Sequence, residues 1–208
     1  MAELWQRTLK DALTDVDELA EHFKLDPQGL RPVVERYPLQ ISRQVLKLIE
    51  APNDPLWRQF IPDPRELDEI GLVDPLGEEN LSPVPSVVHR YPDRALFLVS
   101  GSCASYCRFC TRKRRVGCAG SSPSFRELRE GIDYISATPQ IRDVLFSGGD
   151  PLLLPDAILG DLLNRIHQID HVDIIRIGSR VPLTLPERIT PQLCQLLKKF
   201  SPLYLNTH

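Results

Sequence analysis

The stretch "RALFLVSGSCASYCRFCTRKRRVG", residues 94–117, joins two patterns that rarely meet. Its first part is an apolar run of strand length that ends in small residues. Its second part carries Cys103, Cys107 and Cys110 within eight positions, with cations at Arg108, Arg112, Lys113, Arg114 and Arg115. A short apolar run closed by small residues reads as a buried strand. Three further runs follow the same rule: "DVLFSGGDPLL", "VDIIRIGSRVPL" and "SPLYLNTH". Between them, at about 124–138, 155–168 and 190–200, apolar residues recur at helical spacing, as in "DAILGDLLNRIHQI" and "TPQLCQLLKKF". Strands alternating with helices predict βαβ units, and therefore an α/β protein built on a parallel sheet or barrel. About four parallel strands are too few to close a barrel, so residues 93–208 are expected to be part of one, truncated at the C-terminus.

Upstream the patterns differ. Residues 1–50 read as helical. From Leu4 to Phe23 the apolar positions fit one or two amphipathic helices, and "PLQISRQVLKLI", residues 38–49, fits another. Residues 51–92 are punctuated by proline in "APNDP", "IPDP", "VDP", "SPVP" and "YPD". Proline removes a backbone donor and fixes φ, so this stretch is expected to be extended and packed along a folded body.

The composition is 42% hydrophobic and 25% charged with a net charge of -3. That balance argues against a general nucleic-acid binder, which needs excess positive charge to displace phosphate counterions. The N-terminus mixes acids and bases without the apolar run of a signal peptide. No apolar stretch approaches the roughly 20 residues of a membrane span. A cytoplasmic protein without nucleic-acid or membrane partners is expected, and in a reducing compartment clustered cysteines bind metal or act chemically more often than they form disulfides.

Cys103, Cys107 and Cys110 form CxxxCxxC directly after the first predicted parallel strand, at the strand end where α/β barrels place their chemistry. Three thiolates on one loop can hold three corners of a cubane iron–sulfur cluster and leave one iron open. A zinc site is the alternative. It wants four ligands, and neither Cys118 nor His89 completes one at a usual spacing. Cys118 has no assigned role, and Cys194, within "LCQLL", is expected in the core.

CxxxCxxC with Phe109 before the last cysteine resembles the radical S-adenosylmethionine (SAM) superfamily, and "SGGDPL", Ser147 to Leu152, resembles that family's glycine-rich segment. The resemblance implies a partial radical-SAM barrel, a 4Fe-4S cluster held by the three cysteines, and SAM chelated at the open iron. Ser147, Gly148, Gly149 and Asp150 would meet the methionine part of SAM. Within the superfamily, "HRYPDR", "RIGSRVPLTLPERIT" and "LNTH", with "NDPLWRQFIPD" and "DPLGEENLSPVPSVVHRYPDR" before them, resemble the lysine 2,3-aminomutase family. A translation-factor-modifying relative typically has Phe where this chain has Thr111. Glutamate 2,3-aminomutase is a further relative.

That resemblance implies a radical isomerase that moves an α-amino group to the β-carbon, most simply of L-lysine, with pyridoxal 5'-phosphate (PLP) holding the migrating nitrogen and a 5'-deoxyadenosyl radical moving the hydrogen. By motif position Arg90, Tyr91 and Arg94 would surround PLP, Arg112 would take the substrate carboxylate as a catalytic residue, and His208 would lie near SAM. An external one-electron reductant such as flavodoxin or ferredoxin is implied. The family's PLP lysine and side-chain-selecting carboxylates lie beyond "LNTH", and Lys198 and Lys199 are poor substitutes. Other readings stay open at this point. Arg90 and Arg94 could pair with Asp93 or Glu78, Lys113, Arg114 and Arg115 could sit on a solvated face, Arg180 is undecided, and His167 and His171 fit the surface. The chain could also be a remnant that binds a cluster or partner without catalysis, and open sheet edges would favour homo-oligomers.

Overall fold

The computed structural model describes residues 3–68 and 71–208; residues 1–2 of the expected helical region and 69–70 of the expected extended stretch lie outside them. Among the described residues, five short helices come first: α1 (Leu4–Lys10), α2 (Val16–Phe23), α3 (Pro27–Arg36), α4 (Arg43–Leu48) and α5 (Trp57–Phe60). A sheet follows, formed by β1 (Val87–Tyr91), β2 (Arg94–Ser100), β3 (Asp143–Gly148), β4 (Ile174–Ser179) and β5 (Leu203–Thr207), in that spatial order. Its connections carry α6 (Phe125–Ser136), α7 (Asp156–His167), α8 (Val181–Thr184) and α9 (Pro191–Lys198).

β2 to β5 are the four expected parallel strands. Their alternation decides which face is buried. Ala95, Phe97 and Val99 of β2, Val144 and Phe146 of β3, and Ile175 and Ile177 of β4 pack into one core with Leu128 and Ile135 of α6, Leu159, Leu163 and Ile166 of α7, and Leu193 of α9. Each fully buried Leu, Ile or Phe contributes about 2 kcal/mol through lost apolar hydration. The register puts Leu96, Leu145, Arg176 and Tyr204 in one row of the opposite face, which is therefore the more polar one. The sheet is mostly parallel and is not a closed barrel, which fits the partial barrel expected.

β1 was not foreseen. It pairs antiparallel with β2 inside the stretch expected to be merely extended. Pro83, Pro85 and Pro92 flank the paired residues rather than interrupt them, and an edge strand tolerates such neighbours. The same stretch also holds α5 and a 3-10 turn at Pro64–Leu67. α3 lies in the region read as helical but was given no bounds of its own, although Asp26 caps it by accepting from the Gln28 N–H and Pro27 sits in its first turn. Gly29 and Pro32 obscured its periodicity. The helix expected at 38–49 starts only at Arg43, because Ile41 forms an antiparallel bridge with Leu13 and Ser42 caps the first turn.

The first five helices pack a second core around Leu13, Leu19, Leu30, Ile41, Val45 and Phe60, and Cys107 of the cysteine loop rests against it. Trp5 of α1 packs on Ala104 of the same loop and on Leu185. The N-terminal layer therefore meets the sheet at its chemical end. Two side-chain expectations need correction. Cys194 is exposed on α9 rather than in the core. His171 is half-buried, with Nε2 3.1 Å from the Ile135 carbonyl, whereas His167 is exposed.

α6 is anchored by a capping box, in which Ser124 accepts from the Glu127 N–H and the Glu127 side chain accepts from the Ser124 N–H. Ser124→Ala is expected to cost about 1 kcal/mol. Urea unfolding checks this, and an unchanged midpoint would mean that packing alone sets the helix start.

Candidate functional site

The four parallel strands end at Ser100, Gly148, Ser179 and Thr207 along one edge of the sheet. The loops that leave this edge enclose a cavity of about 350 Å³, lined among others by Cys103, Cys107, Cys110, Ser147, Gly148, Gly149, Asp150, Arg180 and His208. Residues expected to act together from three separate sequence motifs thus share one space.

The cysteine loop is held from the N-terminal layer. Gln40 Nε2 donates to the Cys103 carbonyl at 2.7 Å, and the Tyr106 N–H donates to the Gln40 carbonyl at 2.8 Å. The Arg108 N–H donates to the Gln59 carbonyl at 2.7 Å. The buried Arg108 guanidinium forks onto Glu66 and also reaches the Pro38 carbonyl at 3.2 Å. Arg108 is therefore a structural cation that fixes the loop between two of its cysteines.

Glycine is required after β3 for a geometric reason. Gly148 has φ of +116°, and a Cβ there would collide with the Ser100 carbonyl oxygen. At Gly149 a Cβ would collide with the Ser102 carbonyl. This close approach lets the Gly149 N–H donate to Ser100 at 2.6 Å and the Asp150 N–H to Ser102 at 2.7 Å. The glycine turn is thus locked to the residue next to Cys103.

Asp150, placed near SAM by its motif, lines the cavity and is also held by the chain. Its carboxylate accepts from the Ser179 hydroxyl at 2.7 Å and from the backbone N–H groups of Arg180, Leu152 and Val181 at 2.8, 3.1 and 3.2 Å. These bonds tie the end of β4 to the glycine turn. Burial pushes its carboxyl above the usual carboxylate range, against the four hydrogen bonds that favour the ionised form.

Arg180, undecided from sequence, belongs to the cavity. Its Nη1 donates to Cys107 Sγ at 2.8 Å and its Nη2 to Gln59 Oε1 at 2.7 Å. Burial pushes the Cys107 thiol up while Arg180 opposes the shift. Cys103 is pushed well above the usual thiol range, by burial first and by the Asp150 charge second. Metal binding here must therefore be accompanied by proton release, since thiolates are the ligands.

Arg112 also lines the cavity, yet its guanidinium is engaged. Nε donates to Glu78 Oε2 at 2.7 Å and Nη2 donates to Glu78 Oε1, with both side chains largely buried. A substrate carboxylate would have to share this cation with Glu78. Glu78→Gln is expected to cost about 2 kcal/mol, the value of a charge-assisted hydrogen bond lost from a sheltered pair. Thermal unfolding reads it directly, and no change would mean that solvent already screens the pair.

Arg90, Tyr91 and Arg94 are not gathered into the cavity. Arg94 is at the start of β2, six residues from Ser100, hence about 20 Å from the cysteine edge at strand rise. Arg94 pairs with Asp93 at 3.0 Å, and both guanidinium groups lie over the Tyr91 ring. Lys113 pairs with Glu66, and Arg114 with Glu79 and Asp74. His208 is near the cavity mouth, its ring 5.8 Å from that of Phe109. Gln40, Gln59 and Glu66 were missed, and Glu78, offered as a partner for Arg90 or Arg94, binds Arg112 instead; no local pattern marks these contacts, which form only on folding.

The donor set fits a cubane better than a single ion. Three thiols share the cavity wall, the donor set that a cubane with one open iron takes, whereas a structural zinc site takes four ligands. For PLP, guanidinium groups suited to a phosphate are present at Arg90 and Arg94, and Lys198 and Lys199 lie at the end of α9.

Comparison with known proteins agrees with this geometry. The model of the radical SAM superfamily matches residues 97–207, from β2 to β5. The chain is 43% identical over 98% of its length to L-lysine 2,3-aminomutase of Clostridium subterminale, covering 51% of that protein. It is 44% identical over 99% of its length to L-lysine 2,3-aminomutase of Bacillus subtilis (strain 168), covering 45% of it. Glutamate 2,3-aminomutase of Clostridioides difficile (strain 630) is 40% identical over 98% of the chain, with 49% of that protein covered. The chain thus spans about half the length of these curated relatives. With the cysteine loop, the glycine turn and most of the parallel sheet inside the matched residues, the chain belongs to the radical SAM superfamily.

Proposed function

We propose that the chain carries the cluster-binding and SAM-binding part of an amino acid 2,3-aminomutase, with L-lysine as substrate. The observation that carries the reading is the meeting of Cys103, Cys107 and Cys110 with the glycine turn in one cavity. The relatives named lysine 2,3-aminomutase support the substrate. When bound, the cluster supplies the electron that cleaves the SAM sulfonium to a 5'-deoxyadenosyl radical.

The chain's own residues divide the remaining work. The cysteine thiolates hold three corners. The backbone at Ser147 to Gly149, free of bulky side chains, gives polar groups for the amino end of SAM. Arg112 orients a carboxylate in competition with Glu78, and Arg180 keeps cation charge beside Cys107. PLP belongs to this reading as the second cofactor, with Arg90 and Arg94 as phosphate donors, and no step is derived through it. A cytoplasmic setting and an external one-electron reductant complete the proposal.

The test is product analysis after anaerobic loading with iron and sulfide. With SAM and dithionite, the chain is expected to yield 5'-deoxyadenosine and methionine, and Cys107→Ala none. With PLP and amino acid added, β-lysine from lysine supports the substrate assignment, and β-glutamate from glutamate overturns it. SAM cleavage with neither product would remove the aminomutase step from this chain.

A further inference from the structure

The end of β4 brings Arg180 into contact with four parts of the chain. Nη1 donates to Cys107 Sγ at 2.8 Å, Nη2 to Gln59 Oε1 at 2.7 Å, and Nε faces the His208 carbonyl at 3.4 Å. The guanidinium lies between two rings, 4.9 Å from Phe60 and 5.4 Å from Phe109. Its own backbone N–H donates to Asp150 at 2.8 Å, so the residue is pinned from both ends. Arg112, the other guanidinium lining the cavity, is bound to Glu78, and Arg108 to Glu66.

We propose that Arg180 is a positioning residue that sets the charge felt by the group Cys107 binds, and thereby eases that group's reduction. This rests on the cluster reading above. The physical argument is Coulombic. A cation donating directly to a ligand sulfur stabilises the more negative, reduced state, and it does so strongly where water is scarce. Hydrogen bonds from outside the ligand set tune a metal site in the same way. The aromatic faces of Phe60 and Phe109 keep the planar guanidinium at this spot, which a lysine ammonium would not match in shape. The couple concerned is a one-electron one. An added reductant gives up one electron, the cluster gains it, and no bond forms or breaks.

The test is a potentiometric titration of the iron–sulfur-loaded chain with dithionite and mediator dyes, followed by electron paramagnetic resonance. Arg180→Met is expected to make reduction about tenfold less favourable, a midpoint about 59 mV lower for one electron. Arg180→Lys, which keeps the charge but loses the stacked fork, is expected to stay near the wild-type midpoint. If Arg180→Met loses the cluster and Arg180→Lys retains it, the charge role is likewise supported. An unchanged midpoint in Arg180→Met, or equal cluster loss in both variants, would reduce Arg180 to a loop clamp and overturn the proposal. Wild-type chain that takes up no iron and sulfide would instead overturn the cluster reading on which it rests.

Discussion

Cys107→Ala is expected to abolish iron and acid-labile sulfide uptake, as are Cys103→Ala and Cys110→Ala, while Cys118→Ala and Cys194→Ala load like the wild type. The distinction comes from placement. The first three thiols share the wall of one cavity. Cys118 lies apart from it, with Sγ 3.5 Å from the Arg114 carbonyl, and Cys194 is exposed on α9. A cubane held by only two protein thiolates has two open corners and is lost to chelators and oxygen. Metal and sulfide analysis of the five variants reads the outcome. Loading that depends on Cys118 as much as on Cys107 would show that the ligand set has been misread.

Asp150→Ala is expected to cost about 3 kcal/mol at neutral pH, the largest stability loss anticipated here. It strips an acceptor from three backbone N–H groups and one hydroxyl around a buried side chain, each worth about 1 kcal/mol, and part is returned because a buried charge is removed. The pH dependence has a definite sign. Burial raises the folded carboxyl above its ordinary value of 3.8, so the folded chain binds the proton more tightly than the unfolded chain. Stability from this group is complete below the unfolded value and is lost as pH rises through the folded one. The penalty of Asp150→Ala is therefore larger in acid and shrinks toward neutrality. Urea unfolding at several pH values tests this, and a penalty that grows with pH would mean that the four hydrogen bonds outweigh burial.

Much of the site could be read before folding because its signals are local. The spacing of Cys103, Cys107 and Cys110 is set by a single loop, and the four parallel strands are short apolar runs bounded by small and turn-forming residues. The glycines of "SGGDPL" were legible as a pattern, but their reason was not. It lies in the carbonyls of Ser100 and Ser102, across a register that only the sheet defines. β1 was hidden because prolines around an edge strand resemble those of an irregular segment. α3 carried a readable Asp26–Pro27 start that Gly29 and Pro32 masked. Arg180, Gln59 and Glu78 were beyond local reading, since 121 positions separate Arg180 from Gln59 and 34 separate Arg112 from Glu78. Arg90 and Arg94, grouped by a motif match, do lie together over Tyr91, at the opposite end of the strands from the cysteine loop.

An iron left open to SAM in this cavity can be seen by electron paramagnetic resonance of the loaded, dithionite-reduced chain, recorded with and without SAM. The expected result is a cluster signal whose shape changes when SAM is added and which Cys107→Ala lacks. A cluster signal indifferent to SAM would rule out the open iron.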